Sequence, residues 1–277
     1  MTVRLAELPP SPEPLAVPVV DSHTHLDATA HNSELTPQRN LDMAAQAGVS
    51  HVIDVGVDVA SSRAAAAHAE AFGNVWAAAA VHPNDAPGAA DLPSDLAEIA
   101  GLAALPQVRA VGETGLDYFR TRDPAAQQVQ HESFRAHIEI AKATGKALVI
   151  HDRDAHADVM RVLADAGPPE RVVFHCFSGD ADMARECARR GWYVSFAGTV
   201  TFRNAKDLQA ALPEVPDRLL LVETDAPYLT PTPYRGRRNA PYLLPLTVRF
   251  MAHARDTTGE ALAAQLTSNA ADVFGPL

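Results

Sequence analysis

Positive charge is scarce in this chain. Its 277 residues carry 23 Lys and Arg against 34 Asp and Glu, a formal net charge of −11. That balance argues against a broad basic groove for gripping duplex nucleic acid, although bound divalent ions would reverse the potential locally. Cysteine is nearly absent. Cys176 and Cys187 allow at most one bridge and fit no zinc-finger spacing, so a reducing, cytoplasmic setting is expected. No apolar stretch is long enough to cross a bilayer. The N-terminal MTVRLAELPPSPEPLAVP, with Glu7 and Glu13, lacks a signal-peptide core. A glycine-rich G-x-G-x-x-G loop is missing after the first apolar run, which counts against an open dinucleotide-binding sheet. There is no low-complexity tract, no second domain and no strict repeat beyond a strand–helix unit.

What the chain does have is alternation. Short apolar, β-branched runs predict strands over 17–20, 49–55, 75–81, 108–111, 147–150, 172–174, 192–196 and 219–222. Helical patterns fall between them at 41–47, 61–72, 95–104, 125–144, 156–166, 182–190 and 205–212, and again from about 244 onward. Gly48, Gly73 and Gly145 close three of these as C-terminal caps. Eight near-continuous apolar strands alternating with helices predict an α/β fold with a parallel sheet covered on both faces. In this length they predict one (β/α)₈ TIM barrel. Residues 1–16, rich in proline, read as an extended arm, and 17–277 as the single barrel domain.

Metal-ligand side chains stand where these strands end. They are His23 and His25 in VVDSHTHLD, Glu113 in VRAVGETGLD, His151 in ALVIHDR, His175 in RVVFHCFSG and Asp225 in LLLVETDAP. A lone His-x-His is more often a solvated or capping pair, and an isolated strand-end His is more often structural. Five strand ends bearing such groups together predict a metal site on the C-terminal rim, where barrel enzymes place their chemistry. His23 and His25 are two apart and point the same way on an extended segment. Strands one and eight are neighbours in a closed barrel, so one ion would take His23, His25 and Asp225. A second would take His151 and His175, with Glu113 bridging. Mixed nitrogen and oxygen donors suit Zn²⁺, Mn²⁺ or Mg²⁺. Asp21, Glu223 and His82 are expected to stand behind these ligands. His31, His51, His68, His131, His137, His156 and His253 read as surface residues of helices or turns. Cys176 is expected to face the helices as packing.

The stretches DSHTHLD, VGETGLDY, HDR, HCFSG, ETDAPYL and RGRRNAP, running from Asp21 to Pro241, resemble the TatD-type metal-dependent deoxyribonucleases among the amidohydrolase-like barrels. HCFSG and ETDAPYL are the specific motifs. The resemblance places the family's metal ligands on His23, His25, Glu113, His151, His175 and Asp225. It also implies phosphodiester hydrolysis, with trimming of single-stranded DNA from the 3′ end. Two departures stand out. His82-Pro83-Asn84 replaces the His-Pro-His of many relatives, and Glu113 stands where phosphotriesterase-like barrels carry a modified lysine.

Asp225 and Glu113 are then the candidate catalytic carboxylates, acting on a water activated by two divalent ions. Asp225 would orient that water or accept its proton. Arg235, Arg237, Arg238 and Asn239, with Arg153, are candidate phosphate contacts, and Tyr118 a candidate base-stacking platform. The expected partner is a nucleic-acid substrate, single-stranded DNA first, with no membrane and no obligate protein partner. The competing reading is hydrolysis of an amide, ester or lactone by the same ions.

Overall fold

Apolar runs bounded by glycines and polar caps form eight strands in the computed structural model, which describes residues 8–276. They are β1 (Val19–Thr24), β2 (Val49–Val55), β3 (Val75–Ala79), β4 (Val108–Asp117), β5 (Ala147–Arg153), β6 (Val172–Phe174), β7 (Tyr193–Phe196) and β8 (Leu220–Val222). The helices are α1 (Leu26–Ser33), α2 (Pro37–Gln46), α3 (Val59–Ala71), α4 (Leu92–Ala103), α5 (Pro124–Thr144), α6 (His156–Ala166), α7 (Ala181–Arg190), α8 (Lys206–Ala211), α9 (Leu244–Ala254) and α10 (Gly259–Phe274). Local chemistry sets their ends. Asp58 caps α3 in a reciprocal box with Ser61, and Asp123 caps α5 ahead of Pro124, each satisfying an orphan N–H. Gly145 and Gly191 close α5 and α7 in the left-handed conformation that glycine adopts most easily.

All the strand pairs are parallel, in the order β1-β2-β3-β4-β5-β6-β7-β8. The circle closes through a parallel bridge between Thr24 and Ala226. The Asp225 N–H donates to His23 O, and the His25 N–H to Ala226 O. The fold is the expected TIM barrel.

Residues two apart share a face of a strand. One core cluster gathers Val20, Ile53, Ala78, Ala110, Val149, Val173 and Leu221 from seven strands, the barrel interior. Their neighbours Val19, Val52, Val111, Leu148, Val172 and Leu220 pack outward with the helices. Two residues beyond Val149, Val173 and Leu221 come His151, His175 and Glu223, so simple alternation turns all three inward. His23 and Glu113 have the wrong parity relative to Val20 and Ala110. The pairing shifts register in β1 between Asp21 and Thr24 and in β4 between Val111 and Thr114, and each bulge re-aims its side chain.

Several strands run past their predicted ends. β4 reaches Asp117, β5 reaches Arg153 and β1 reaches Thr24, because backbone pairing continues through polar residues. α1 lay outside the predicted helices, since LDATAHNS carries little apolar periodicity. Residues 8–16 adopt neither helix nor strand. They are tied down by Leu15 N–H to Ala47 O at 3.0 Å and Tyr242 O–H to Pro9 O at 2.5 Å. The remainder of the predicted arm, residues 1–7, lies outside the described residues. Among the described residues no helix is long and apolar enough to cross a membrane.

One surface assignment fails clearly. His137 on α5 is fully buried. Its Nδ1–H donates to Ser133 O, and its Nε2 accepts the Val81 N–H at 3.1 Å. Burial holds it down at about 4, as a neutral clasp between α5 and the end of β3. His51 lies in β2, and His68, His131 and His156 are also partly buried, whereas His31 and His253 are exposed.

Gly115 sits at φ +142°, and a Cβ there would lie 2.1 Å from His151 O. Gly115→Ala is therefore expected to destabilise the protein by about 2 kcal/mol, a fall in Tm of roughly 4–8 °C. Gly101→Ala on α4, where nothing lies within 4 Å, should hold or raise Tm. Thermal melts of the two variants provide the comparison, and an unchanged Tm for Gly115→Ala would contradict this account of β4 against β5.

Candidate metal centre

Glu113 stands at the middle of the barrel mouth. Its Oε1 lies 3.4 Å from both His23 Nε2 and His25 Nε2. Its Oε2 lies 2.9 Å from His175 Nε2, 3.1 Å from His151 Nδ1 and 3.6 Å from His82 Nε2. Asp225 Oδ1 is 3.6 Å from His25 Nε2 and 3.9 Å from His23 Nε2. All six predicted donors thus converge on one mouth. His82 joins them there, in contact with Glu113, closer in than its expected place behind the ligands.

Each imidazole is aimed by what stands behind it. His25 Nδ1 lies 2.8 Å from Val55 O; a carbonyl only accepts, so Nδ1 carries a proton and Nε2 is turned toward Glu113 and Asp225. His175 Nδ1 lies 3.2 Å from Glu223 Oε1, which also accepts the Cys176 N–H at 2.7 Å. His151 Nε2 lies 3.2 Å from Asp117 Oδ2, leaving Nδ1 toward Glu113. Such outer partners fix the tautomer and orientation of metal-binding histidines. Asp21 acts on the backbone: it accepts from the Thr224 N–H and O–H and from the His23 N–H, joining β1 to the chain after β8. Asp117 escaped the sequence reading, because the glycines of VGETGLD hid the continuation of β4 that carries it.

The electrostatics are those of a site prepared for cations. Burial opposes the charge on Glu113, yet the surrounding imidazoles, His175 foremost, hold its carboxyl well below the usual range. Burial likewise opposes charge on Asp225, and the imidazoles around it, His25 foremost, outweigh it and keep the carboxyl low. For His175, burial is overcome by Glu113 and Glu223, which lift the imidazole well above its ordinary value. The fit to metal ions rests on the donors themselves. His23 Nδ1 is buried without a hydrogen-bond partner, while His23 Nε2 and His175 Nε2 face Glu113 at 3.4 and 2.9 Å. Two trios of the predicted donors bring their donor atoms within 4.8 Å, His23 with His175 and Asp225 and His23 with His25 and Glu113, and a third grouping places His82 beside Glu113 and His151. Unpaired buried nitrogens are costly unless something accepts their lone pairs.

A cavity of about 770 Å³ opens above these groups. Arg153 lines it, with its guanidinium 4.1 Å from the centre of the exposed Phe119 ring. Arg120 and Lys206 line it too, as does the exposed Tyr228; none of these four was singled out from sequence apart from Arg153. The predicted arginine loop is placed otherwise. Arg235 lies over Phe202 and donates to Asn204, Arg238 pairs with Glu34 at 2.9 Å, and Arg237 sits by Tyr234. None of the three lines the cavity. Asn239 is buried, donating to Thr224 O and Tyr228 O; it shapes the loop after β8. The Tyr118 O–H donates to Asp158 Oδ2 at 2.6 Å, with His131 Nε2 at 2.7 Å, so its ring is held under α5 and α6. Cys176, expected to face the helices, lines the cavity, because its positive φ of 40° turns the chain at the end of β6.

Comparison with known proteins matches residues 20–275 to the model of the TatD related DNase family. The chain is 46% identical to the uncharacterized metal-dependent hydrolase TatD of Mycobacterium tuberculosis, over 93% of this chain and 98% of that one. It is 36% identical to the 3′-5′ ssDNA/RNA exonuclease TatD of Citrobacter rodentium, over 83% and 88%. Among solved structures, the TatD homolog YjjV of Escherichia coli superposes with a TM-score of 0.86 at 25% identity, covering 94% of this chain and 98% of that one.

Ligation requires neutral imidazoles, so protons and metal ions compete for this site. Burial alone would depress His25, but Asp225 and Glu113 lift it to about 9. Below that value His25 holds a proton that an ion must displace. Affinity for Mn²⁺ or Zn²⁺ is therefore expected to rise as pH climbs toward about 9, with net proton release in calorimetric titrations run in two buffers of different ionisation enthalpy. Affinity that stays flat with pH would contradict this.

Proposed function

Because the chain belongs to the TatD related DNase family and is a metal-dependent hydrolase, we propose that its cleft cleaves phosphodiester bonds, removing nucleotides from the 3′ end of single-stranded DNA. The observation that carries this reading is the union in one cavity of the donor ring with Arg120, Arg153 and Lys206. Two divalent ions, Mg²⁺, Mn²⁺ or Zn²⁺, are proposed to be held by His23, His25 and Asp225 on one side and His151 and His175 on the other, with Glu113 between. Bound there, they would supply a nucleophilic water at neutral pH and neutralise phosphoryl charge.

The protein's own groups do the remainder. Asp225, held ionised by His25, orients the attacking water and takes up its proton. Arg153 and Arg120 bind phosphate oxygens; a guanidinium presents paired donors suited to that geometry. Tyr228, an exposed side chain lining the cavity, offers a face on which an unpaired base stacks. Single strands suit such a cleft, since duplex bases keep their faces covered. The polarity, and the preference for a chain end, take their support from the exonuclease relative of Citrobacter rodentium.

Asp225→Asn is expected to abolish turnover while circular dichroism and Tm stay close to the parent. Arg153→Ala should raise KM about tenfold and reduce the log–log salt slope of binding by roughly one. The deciding assay is a metal-reconstituted digest of end-labelled oligonucleotides resolved to single nucleotides. A ladder shortening from the 3′ end of single strands is expected, and faster cutting of intact duplex would overturn the proposal.

A further inference from the structure

Among the imidazoles at the mouth, His82 is wired in the opposite sense. His25 and His175 place Nδ1 against groups that accept, Val55 O and Glu223. His82 Nδ1 instead accepts, taking the backbone N–H of Asn84 at 3.0 Å. A neutral imidazole has one donor and one acceptor nitrogen, so the His82 proton sits on Nε2. Nε2 faces the mouth, 3.6 Å from Glu113 Oε2, beyond hydrogen-bond length for an N–H donor. The turn is braced. Asn84 Nδ2 donates to Asp117 Oδ2 at 2.8 Å, and the Thr121 O–H donates to Asn84 Oδ1 at 2.9 Å. His82-Pro83-Asn84 therefore forms a rigid corner that presents one N–H to the cavity, and Asn84 serves as its brace.

We infer that His82 is a catalytic hydrogen-bond donor, giving its fixed Nε2–H to an oxygen of the scissile phosphoryl group and ligating no metal ion. The proton stays on nitrogen throughout, and no bond to it forms or breaks. A donor pre-aimed at an oxygen that gains charge lowers the barrier without reorganisation. Its placement beside Glu113 and His151, and on the inward face two and four residues beyond Ala80 and Ala78, puts that N–H over the reacting group. The inference rests on the phosphodiester reading for its substrate, but not for the tautomer or the absence of ligation.

Three measurements test it. Nitrogen-15 NMR of histidine-labelled protein loaded with Zn²⁺ should show, for the one resonance set lost in His82→Gln, a neutral imidazole with its proton on Nε2 and no ion on either nitrogen. A ring with Nε2 bare in the loaded protein would overturn the inference without reference to any substrate. Metal content after purification should equal the parent's in both His82→Ala and His82→Gln, and an ion lost from His82→Ala would make His82 a ligand. On single-stranded oligonucleotide, His82→Ala should lower kcat about 10²-fold. His82→Gln, whose amide N–H reaches nearly the same point, should recover about tenfold with a pH–rate profile of unchanged shape. A glutamine variant no better than alanine would sink the donor role. Should the parent cut no nucleic acid, the same pair is run on bis(p-nitrophenyl) phosphate and p-nitrophenyl acetate. A loss confined to the diester keeps the inference, and an equal loss on both overturns it.

Discussion

One buried carboxylate organises the mouth of this barrel. Glu113 lies within 3.6 Å of five imidazoles drawn from four other strand ends, and it is almost fully buried. An isolated carboxylate there would be neutralised by desolvation. Its charge survives because nitrogens surround it, and those nitrogens are in turn held apart at useful spacing because it stands between them. The two features that admit Glu113 to that position are a shift of register in β4 and the glycines on either side, Gly112 and Gly115, which let the strand press against Val149 and His151. Loss of that close approach would move the carboxylate before it touched any donor.

The strand period explains both what was legible in the sequence and what was not. His151, His175 and Glu223 continue an inward alternation that begins in apolar residues, so their side of the sheet can be read from the chain. Convergence of the six donors needed only the order of the strands and the closure of the sheet. The bulges at His23 and Glu113 leave no comparable mark, because a register shift is a relation between two strands. Helix α1 was hidden for a related reason: it is anchored by Asp54 accepting the Leu26 N–H at 2.8 Å, not by an apolar face of its own. The misplaced residues share a cause as well. Arg235, Arg238, Tyr118 and Asn239 lie close to the mouth along the chain, but each finds a nearer partner in Asn204, Glu34, Asp158 or the loop backbone. Chemical type names a possible contact, and only packing decides who receives it.

The cleft also gathers cationic side chains within an acidic molecule. Asp27, Asp54, Asp85, Asp152 and Asp207 line the cavity together with Arg120, Arg153 and Lys206. The wall therefore carries both signs, with Asp152 and Asp207 next in the chain to Arg153 and Lys206. Net charge averages over the whole surface and carries no information about that placement.

Preparation of the site has an energetic counterpart in the fold. Val55 O, Glu223 and Asp117 fix three imidazoles in the orientations an ion would require, so little reorganisation accompanies binding. The same preparation leaves His23 Nδ1 buried without a partner. A buried polar group left so costs about 1–3 kcal/mol. An ion that binds the folded chain alone offsets this directly, by about 2.7 kcal/mol at a hundred times its Kd. Stability and ion affinity are then coupled through the same imidazoles, and a substitution that satisfied them internally would strengthen the fold while weakening any hold on metal ions.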